Sequence, residues 1–413
     1  MHQPLKDIKV LELANVLAGP SIGATLSELG ATVIKVENLL TKGDVTRTWK
    51  LPTENPDTDI SGYFSSVNWG KKSIAIDLNQ ADGLELIYKL AEVCDIVLVS
   101  YKPGDAEKLN VDYNTLKIRN NKIIYAHLTG YGLSNPRAGY DAIIQAESGF
   151  TYMNGESDGK PVKMPVALMD ILAGHQLKEA IILALYNREK TGKGQYIETS
   201  LIKSGIASLA NQATNWLVGE TIPERMGSDH PNIVPYGTIF YSRDNKPIVI
   251  AIGNDKQFTD LCLVLGKAEI ANDKKFTDNL KRVKNRNELN DTLQVLIANF
   301  NRDHLLEALS EKNVPAGGVF NMKEVFEMPE AKELVMESET TSGISIKGVR
   351  TIAFNIDGKP NLNDISAPPH YGEHTIQILH DILGYSNDKI NDLIKHNVIH
   401  ASNYSKINKL GRN

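Results

Sequence analysis

Residues 8–37 read IKVLELANVLAGPSIGATLSELGATVIKVE and hold the pattern that decides the fold. Two apolar segments of strand length, Ile8–Leu13 and Thr32–Glu37, flank a short helical segment, Ser21–Leu29. Ala18-Gly19-Pro20 marks the turn into that helix, and Gly30 ends it. A strand, a helix and a second strand form a βαβ unit with parallel strands. The stretch therefore predicts an α/β domain.

The same alternation continues along the chain. Further strands are predicted at Ser73–Leu78, Asp95–Ser100 and Lys122–Leu128, with a helix at Ala81–Ala91. Such a pattern is typical of a parallel sheet covered by helices on both faces, and ligands bind outside the carboxyl ends of its strands. The first candidates for a site are therefore the residues that follow the strands: Asn15–Gly19, Glu37, Asn38, Asp77, Ser100–Gly104 and Thr129–Gly132.

A dinucleotide site is one interpretation of this edge, with Glu37 in the ribose-binding position. The turn after the first strand, Leu17–Gly23, lacks the G-x-G-x-x-G pattern. It also contains Pro20, which removes a backbone N–H that a phosphate would need. The sequence therefore argues against NAD or FAD.

Asp170 is the one carboxylate within an apolar surround in the stretch Pro165–Leu201. An apolar helix follows it, with Leu177, Ile181 and Leu185 at helical spacing, and Lys190–Gly194 predicts its end. Asp170 is therefore either a helix N-cap or a half-desolvated nucleophile, and position alone leaves both open. We expect the helix N-terminus to keep the carboxylate ionised.

Length and composition limit the class of protein. A chain of 413 residues predicts two domains, and a net charge of −5 gives no reason to expect nucleic acid or a membrane as partner. Cys94 and Cys262 lie far apart, which favours a reducing compartment. Residues 1–9 hold no secretory signal, and no apolar run is long enough to span a bilayer. We expect a cytoplasmic enzyme or binding protein.

The second half of the chain predicts a separate domain and a returning tail. Ile202–Val218 reads as one long helix, and Pro223–Pro235 as a linker. An antiparallel pair turned at Asp244-Asn245 then opens an α+β domain. The expected boundaries are 1–222 for the large domain, 223–329 for the small domain with its linkers, and 330–413 for a tail that packs back onto the large domain or onto a partner subunit.

The chain also contains one metal-site string and two lysine pairs at which a ligand could bind. His370-Tyr371-Gly372-Glu373-His374 spells H-x-x-E-H, but Pro368, Pro369 and Gly372 oppose the continuous helix that a zinc site of this type needs, so no metal site is expected. Lys71-Lys72 reads as a solvated turn. Lys102 and Lys108 flank Pro103-Gly104 at the carboxyl edge of the sheet, where, with Tyr101, they fit a phosphate-bearing, flat-ringed ligand.

These stretches together resemble the class III CoA-transferase family (CaiB/BaiF, formyl-CoA transferase-like), which also includes α-methylacyl-CoA racemases. The resemblance covers nearly the whole chain. It rests on VLELANVLAGP (10–20), LGATVIKVE (29–37), Gly43-Asp44 with Arg47, KKSIAIDL (71–78), YKPG (101–104), LTGYG (128–132), GYDAIIQAESG (139–149), Asp170 with Gly174, TGKGQ (191–195), GNDKQF (253–258), VPAGGV (314–319) and YGEHT (371–375).

The resemblance implies a fold and a mechanism. The fold is a Rossmann-like parallel-sheet large domain built from both chain ends plus a smaller α+β domain, in an interlocked homodimer. Asp170 is similar to the family's nucleophile, which forms an acyl anhydride and then an aspartyl-CoA thioester. CoA passes from an acyl-CoA, with succinyl-CoA a plausible donor by family habit, to a small carboxylic acid. No tightly bound cofactor is implied, and coenzyme A is a substrate.

The resemblance also implies a CoA site. It falls on Val16, Leu17, Ala18, Asn38, Lys72, Ile74, Ala75, Ile76, Asp77, Ser100, Tyr101, Lys102, Lys108, Thr129, Gly130 and Tyr131. Asn38 and Thr129 stand where some transferases carry an arginine and a lysine. The phosphate contacts are therefore expected to depend on Lys71, Lys72, Lys102 and Lys108. The family's oxalate-type glycine loop is reduced here to Gly253-Asn254-Asp255, which argues against oxalate.

Two alternatives stay open at this point. A 2-methylacyl-CoA racemase needs a second base, and the family's racemases carry a histidine where this chain has Tyr140, which is a poor base at neutral pH. His127 or His175 could take that role. A non-catalytic CoA-binding protein would suit an Asp170 that is only a helix cap.

Overall fold

The computed structural model describes residues 3–360 and 364–402. The helices are α1 (Ala18–Glu28), α2 (Gly62–Ser65), α3 (Ala81–Val93), α4 (Asp105–Lys108), α5 (Tyr113–Arg119), α6 (Asp141–Glu147), α7 (Phe150–Met153), α8 (Leu168–Thr191), α9 (Leu201–Ala207), α10 (Ala210–Leu217), α11 (Asp255–Val264), α12 (Asn279–Lys284), α13 (Arg286–Ile297), α14 (Arg302–Glu311), α15 (Met322–Glu327), α16 (Pro329–Leu334), α17 (Thr375–Asp381) and α18 (Asn387–Lys395), with 3-10 helices at Val45–Thr48 and Ala268–Asn272.

The strands are short, and most of their buried positions carry apolar residues. They are β1 (Lys9–Leu13), β2 (Thr32–Asn38), β3 (Lys72–Ile76), β4 (Ile96–Val99), β5 (Ile124–Thr129), β6 (Gln195–Ser200), β7 (Tyr236–Tyr241), β8 (Pro247–Ala251), β9 (Ala316–Gly318), β10 (Val335–Glu339), β11 (Ser345–Val349), β12 (Asn355–Ile356), β13 (Lys359–Pro360) and β14 (Ile399–His400).

A mostly parallel seven-stranded sheet forms the core of the fold, in the order β14-β3-β2-β1-β4-β5-β6. All neighbours pair in parallel except β14, which pairs antiparallel with β3. The α/β class predicted from residues 8–37 is thereby confirmed. Strand β6 was not predicted, because its six residues carry only a weak alternation of apolar and polar side chains.

The order of the strands reverses at β1. The chain runs from β1 to β2 and β3 on one side, and then returns to place β4, β5 and β6 on the other. At such a point the connections leave the carboxyl ends of β1 and β4 in opposite directions, and a crevice opens between them. The residues after β1 and β4 are therefore the ones that this topology offers to a ligand.

Helices cover both faces of the sheet. Helices α3, α5, α17 and α18 contribute to one core cluster with β1–β5 and β14, in which Leu86, Leu90, Leu116, Ile378 and Leu393 are buried. Helix α8 packs against α1, α6, α9, β5 and β6. Its buried side includes Leu177, Ile181 and Leu185, and it ends at Gly192 in the left-handed conformation (φ 69°), as the sequence predicted.

The described residues divide into two compact units. The first comprises the described parts of Met1–Ser148, Pro165–Ala210 and Glu333–Asn413, and the second comprises Gly149–Met164 and Asn211–Lys332. The domain boundaries at 222 and 329 stay a prediction. The prediction of a single long helix over Ile202–Val218 is wrong. The segment forms two helices, α9 and α10, and Ala210 at the start of α10 has φ 48°.

The second unit contains a three-stranded antiparallel sheet, β7-β8-β9. The predicted hairpin is confirmed, since β7 pairs with β8 across a turn in which Asn245 has φ 55°. Helices α11, α13 and α14 cover this sheet through the buried side chains Leu261, Leu293 and Leu305. Among the described residues, no helix combines the length and the apolar character that crossing a bilayer requires.

Candidate active site

A cavity of about 240 Å³ opens at the carboxyl ends of β1, β4 and β5, beside the start of α8. The strand reversal between β1 and β4 lies beneath it, so the cavity occupies the crevice that the topology provides. It is lined by Asn15, Val16, Leu17, Ala18, Gly19, Ser100, Tyr101, Lys102, Leu128, Thr129, Gly130, Arg137, Ala138, Gly139, Tyr140, Asp141, Asp170 and Leu201.

Asp170 is not the cap of its helix. Helix α8 begins at Leu168, its N-cap position is Ala167, and Asp170 is the third helical residue. The missing cap comes from another helix, since Asp141 Oδ1 in α6 accepts a hydrogen bond of 2.7 Å from the backbone N–H of Met169. The cap interpretation of Asp170 is therefore wrong, and its carboxylate is free for another role.

Burial opposes the ionisation of Asp170 that its place near the helix N-terminus favours. The residue is only 8% exposed, and burial, followed by repulsion from Asp141, raises the pKa of its carboxyl to about 7. The helix N-terminus favours the negative charge, but its effect is smaller than the cost of desolvation. The pKa of Asp170 therefore lies near neutral pH, well above the ordinary value of an aspartate.

Gly130 and Gly139 bring Asp141 next to the sheet. A Cβ built on Gly139 would lie 2.4 Å from Gly130 Cα, and one built on Gly130 would lie 2.5 Å from Gly139 Cα. The two backbones thus touch, which holds the segment Gly139–Asp141 against the end of β5. From there Asp141 reaches both Met169 N–H and, through Oδ2, Gln145 Nε2 at 2.7 Å.

We expect Gly139→Ala to destabilise the protein by about 1–3 kcal/mol and to lower catalytic activity at the cavity, because backbone atoms cannot make room for the added methyl group. Urea unfolding and steady-state kinetics measure the two effects. Gly317→Ala is the matched control, since a Cβ at that position meets nothing within 4 Å. Equal stabilities for both variants would contradict the close contact between Gly130 and Gly139.

Half of the predicted CoA residues line the cavity. These are the ones that follow β1, β4 and β5: Val16, Leu17, Ala18, Ser100, Tyr101, Lys102, Thr129 and Gly130. The others do not line it: Asn38, Lys72, Ile74, Ala75, Ile76, Asp77, Lys108 and Tyr131. The role of all these residues in CoA binding stays a prediction.

The strand order explains this division. Strands β2 and β3 lie on the far side of β1 from β4, so Asn38 at the end of β2 and Asp77 after β3 lie at the same edge of the sheet but beside the crevice rather than in it. Ile74 and Ile76 are fully buried in β3, and Lys72 begins that strand at the opposite edge of the sheet. Lys108 is exposed and pairs with Asp105 at 2.9 Å.

Two charged residues from the strand edges are buried in ion pairs. Lys71 is 1% exposed and donates hydrogen bonds to Glu12 and to Asn68 Oδ1, so the expectation of a solvated turn, and of a phosphate contact from Lys71, is wrong. Glu37 is likewise buried and binds Arg47, with 2.6 Å between Oε1 and Nη2. The Glu37 carboxylate is thus already paired with Arg47 and is not free to bind a ribose, in agreement with the argument against a dinucleotide site.

Several cavity residues were not among the predicted site residues. Asn15 and Gly19 belong to the strand-end segment that the sequence singled out, and Gly139–Asp141 belong to a motif of the family resemblance. Arg137 carried no signal, because it lies outside the strand-end segments and motifs that the sequence singled out. Its guanidinium lies 4.4 Å from the ring centroid of Tyr131 and binds Glu147 at 2.6 Å.

The H-x-x-E-H string precedes a helix and is not part of one. Helix α17 begins at Thr375, and His374 occupies its N-cap position. His370 binds Asp59 and Ser342. Within residues 3–360 and 364–402, no group of three or more His, Cys, Asp or Glu side chains is arranged to hold a metal ion.

Comparison with known proteins agrees with this geometry. Residues 5–375 match the profile of CoA-transferase family III. The chain is 38% identical to the succinate–glutarate CoA-transferase of Agrobacterium fabrum, over 92% of this chain and 96% of that protein. It is 37% identical to the succinyl-CoA:glutarate CoA-transferase of Homo sapiens, over 96% and 90%. A crystal structure of a CaiB/BaiF family protein from Brucella suis superimposes with a TM-score of 0.81 at 38% identity, covering 92% of this chain and all of that one.

Proposed function

The chain belongs to CoA-transferase family III, the CaiB/BaiF family, and from this premise we propose that it moves CoA from succinyl-CoA to a small dicarboxylic acid through a covalent intermediate on Asp170. One observation carries the proposal. Asp170 is a buried carboxylate without a capping role that lines a cavity at the strand reversal of the sheet.

The proposed reaction proceeds by four acyl transfers. The Asp170 carboxylate attacks the thioester carbonyl of succinyl-CoA, which gives a succinyl-aspartyl anhydride and CoA thiolate. The thiolate attacks the aspartyl carbonyl, which releases succinate and leaves an aspartyl-CoA thioester. The acceptor carboxylate attacks this thioester, giving a second anhydride and CoA thiolate. The thiolate then attacks the acceptor's acyl carbonyl, which forms the new acyl-CoA and restores Asp170.

The surroundings of Asp170 suit this chemistry. An anhydride and an aspartyl thioester are both hydrolysed by water, and a side chain that is 8% exposed limits access of water to them. Burial also removes the hydration shell that weakens a carboxylate nucleophile. Ionisation of Asp170 costs free energy because the side chain is buried and lies near Asp141, so the nucleophile is present mainly above pH 7.

The substrate class follows from the relatives and the cations in the cavity. The proteins of Agrobacterium fabrum and Homo sapiens are named for succinate or succinyl-CoA and for glutarate. Lys102 and Arg137 line the cavity beside Asp141 and Asp170, and each of these two cations can pair with an anionic group such as a carboxylate or a phosphate of CoA. We therefore place the acyl and acceptor groups near Asp170 and the CoA along Ser100–Lys102 and Thr129–Gly130.

A donor and acceptor panel tests the proposal. Succinyl-CoA, acetyl-CoA and propionyl-CoA are offered with glutarate, succinate, mesaconate, oxalate and butyrate, and products are read by mass spectrometry. We expect transfer from succinyl-CoA to dicarboxylates and little to butyrate. After incubation with succinyl-CoA alone, hydroxylamine should trap a hydroxamate at Asp170. Transfer with no adduct on any residue would contradict the covalent mechanism.

No structural observation favours the racemase. His127 is buried, and its two ring nitrogens contact Tyr101 O at 2.9 Å and Tyr196 Oη at 3.1 Å. His175 is exposed on α8 and does not line the cavity. Tyr140 does line it, but a phenol is a weak base at neutral pH. A non-catalytic role is equally unsupported, because it depended on Asp170 being a cap.

The pH dependence of transfer should report Asp170. Since the reaction needs the carboxylate and the pKa of Asp170 is about 7, kcat/KM is expected to rise about tenfold per unit as pH increases towards 7 and to level off above it. Asp141→Asn should move this limb to lower pH, because it removes the charge that adds to the effect of burial. A profile that is flat from pH 5 to pH 8, or one unmoved by Asp141→Asn, would contradict this account.

We also propose the interlocked homodimer and the cytoplasmic location that the sequence predicted. Support for a partner copy comes from apolar side chains exposed in one chain, such as Ile182, Leu183 and Tyr186 on α8 and Ile206 on α9. Light scattering of the purified protein measures the mass directly. Cys94 and Cys262 are both buried free thiols, which suits a reducing compartment.

A further inference from the structure

Val16 has a backbone conformation that its side chain disfavours. Its φ of 71° lies in the left-handed region, where a β-branched residue is a genuine outlier. Val16 follows β1 and lines the active cavity between Asn15 and Leu17. Strain of this kind persists only where the surrounding structure holds it in place, and it concentrates at functional sites. The question is which groups hold Val16.

Polar contacts fix the backbone of Val16 and of the two residues before it. The N–H of Val16 donates to Asp44 Oδ2 at 3.2 Å and to Oδ1 at 3.4 Å. The carbonyl of Ala14 accepts from Lys35 Nζ at 2.8 Å, and the N–H of Asn15 donates to Ser100 Oγ at 3.2 Å. The bend is thus held from β2 through Lys35, from β4 through Ser100, and from the 3-10 helix at residues 45–48 through Asp44.

Asp44 and Lys35 are themselves held in a buried ion cluster, which we define as Glu12, Lys35, Glu37, Asp44, Arg47 and Lys71. Each of these six residues is at most 4% exposed, and the three carboxylates balance the three cations. Lys35 Nζ lies 3.0 Å from Asp44 Oδ2 and 3.3 Å from Glu12 Oε1. The cluster is therefore neutral overall, and no member can move without breaking several bonds in a medium of low dielectric constant.

Asp44 has no freedom to leave Val16. Its Oδ1 accepts from Thr46 N–H at 3.0 Å and from Thr46 Oγ1 at 2.8 Å, and its own N–H donates to Glu37 Oε2 at 3.0 Å. Burial alone would raise the pKa of Asp44, but Lys35 and the Thr46 donors hold it below its ordinary value. Asp44 is therefore a carboxylate that presents fixed acceptors to the Val16 N–H.

We propose that Asp44 is a positioning residue for CoA transfer, which holds Val16 in the left-handed conformation and so fixes the wall of the cavity that the acyl-CoA contacts beside Asp170. Relaxation of Val16 to an ordinary φ would rotate the peptides on either side of it and displace Leu17 and Ala18, which also line the cavity. The inference rests on the proposed transferase function and adds a residue that does not itself touch substrate.

The first test is Asp44→Asn. The amide has one oxygen in place of two and no charge for Lys35, so it cannot serve Thr46, Lys35 and Val16 as the carboxylate does. We expect kcat with succinyl-CoA and glutarate to fall about 10- to 100-fold, as misplacement of a substrate by about 1 Å does. A crystal structure of the variant should show Val16 at negative φ. An unchanged φ, or kcat within twofold of wild type, would overturn the inference.

A glycine at position 16 separates positioning from stability. Glycine adopts positive φ without strain, so it needs no anchor at Asp44. We expect Val16→Gly to recover at least fivefold of the kcat lost in Asp44→Asn, a rescue that a purely structural role for Asp44 does not predict. If Asp44→Asn alone fails to fold, the double variant is compared with Val16→Gly. Equal kcat values for Val16→Gly and for Asp44→Asn/Val16→Gly support the inference. A kcat tenfold lower in the double variant contradicts it.

Asp59→Asn is the control within the same region. Asp59 pairs with Arg47 at 3.7 Å and with His370, but it does not contact the bend at Val16. We expect a lower Tm with kcat within twofold of wild type. A crystal structure of Asp44→Asn distinguishes failure of the positioning role of Asp44 from failure of the proposed transferase function. If wild type shows no transfer that depends on Asp170, the proposed function fails, whereas the effect of Asp44→Asn on Val16 φ still tests the anchor.

Discussion

Asp170→Asn is expected to abolish CoA transfer and, at the same time, to make the protein more stable at pH 8. The amide has nearly the shape of the carboxylate, but it cannot form the anhydride that the proposed mechanism requires. We expect kcat to fall by at least about 10³-fold, which is the usual scale for removal of a covalent nucleophile. The loss of activity therefore arises without any loss of structure.

The gain in stability follows from the raised pKa. In the unfolded chain Asp170 ionises near its ordinary pKa of 3.8, whereas in the folded protein it ionises only near 7. Between these values the unfolded state binds fewer protons, so stability falls as pH rises from about 4 to about 7 and stays lower above pH 7. Asparagine does not titrate, so the variant escapes this penalty, which is on the order of a few kcal/mol.

Two measurements check this result together. Mass spectrometry after incubation with succinyl-CoA and hydroxylamine should show the adduct on wild type and no adduct on Asp170→Asn. Thermal unfolding at pH 8 and pH 4 should show a higher Tm for the variant at pH 8 and similar values at pH 4. An Asp170→Asn protein with wild-type kcat would refute the mechanism, and one less stable at pH 8 would refute the assignment of a raised pKa.

Arg47→Met is expected to have the largest effect on stability, a loss of about 3–5 kcal/mol, because it leaves the buried charge of Glu37 without its partner. Arg47 is 4% exposed and holds Glu37 with two hydrogen bonds, of 2.6 and 2.8 Å. It also donates to Pro369 O at 3.1 Å, so it joins β2 to the C-terminal part of the chain. Methionine keeps much of the apolar contact with Phe64 but makes none of these bonds.

The pH dependence of this loss gives a second readout. Burial alone would raise the pKa of Glu37, and the Arg47 guanidinium holds it below its ordinary value in wild type. Without Arg47 the pKa of Glu37 rises, so protonation of Glu37 at lower pH costs the variant less stability than it costs wild type. The difference from wild type should be smaller at pH 5 than at pH 8.

Chemical unfolding at both pH values, followed by circular dichroism, measures these differences. The double variant Arg47→Met/Glu37→Gln should recover part of the lost stability, since no buried charge then lacks a partner. Arg119→Met serves as a control, because Arg119 makes exposed ion pairs with Glu85 and Glu92 and should contribute less than about 1 kcal/mol. Equal losses in the free energy of unfolding for Arg47→Met and Arg119→Met would contradict the conclusion that a buried ion pair is more costly to break than an exposed one.

The sequence predicted those features that depend on near neighbours in the chain. Apolar segments such as Ile8–Leu13 and Thr32–Glu37 specified strands, and Gly192 specified the end of α8, because periodicity and turn chemistry are local properties. Asp170 was singled out by its apolar flanks and by the family resemblance. Residues chosen after β1, β4 and β5 do line the cavity, since parallel strands place their carboxyl ends at one edge of a sheet.

Only the tertiary structure decided which strand ends meet and which charges are free. The reversal at β1 places Ser100 beside Asn15. Asp77 follows β3, which lies on the other side of β1 in the same sheet. Lys71 reads as a surface lysine, yet it is buried against Glu12. The ionisation of Asp170 depends on burial and on Asp141, which is 29 positions away in the chain. Desolvation and charge pairing depend on residues that are distant in sequence, so local pattern could single out Asp170 but could not give its pKa.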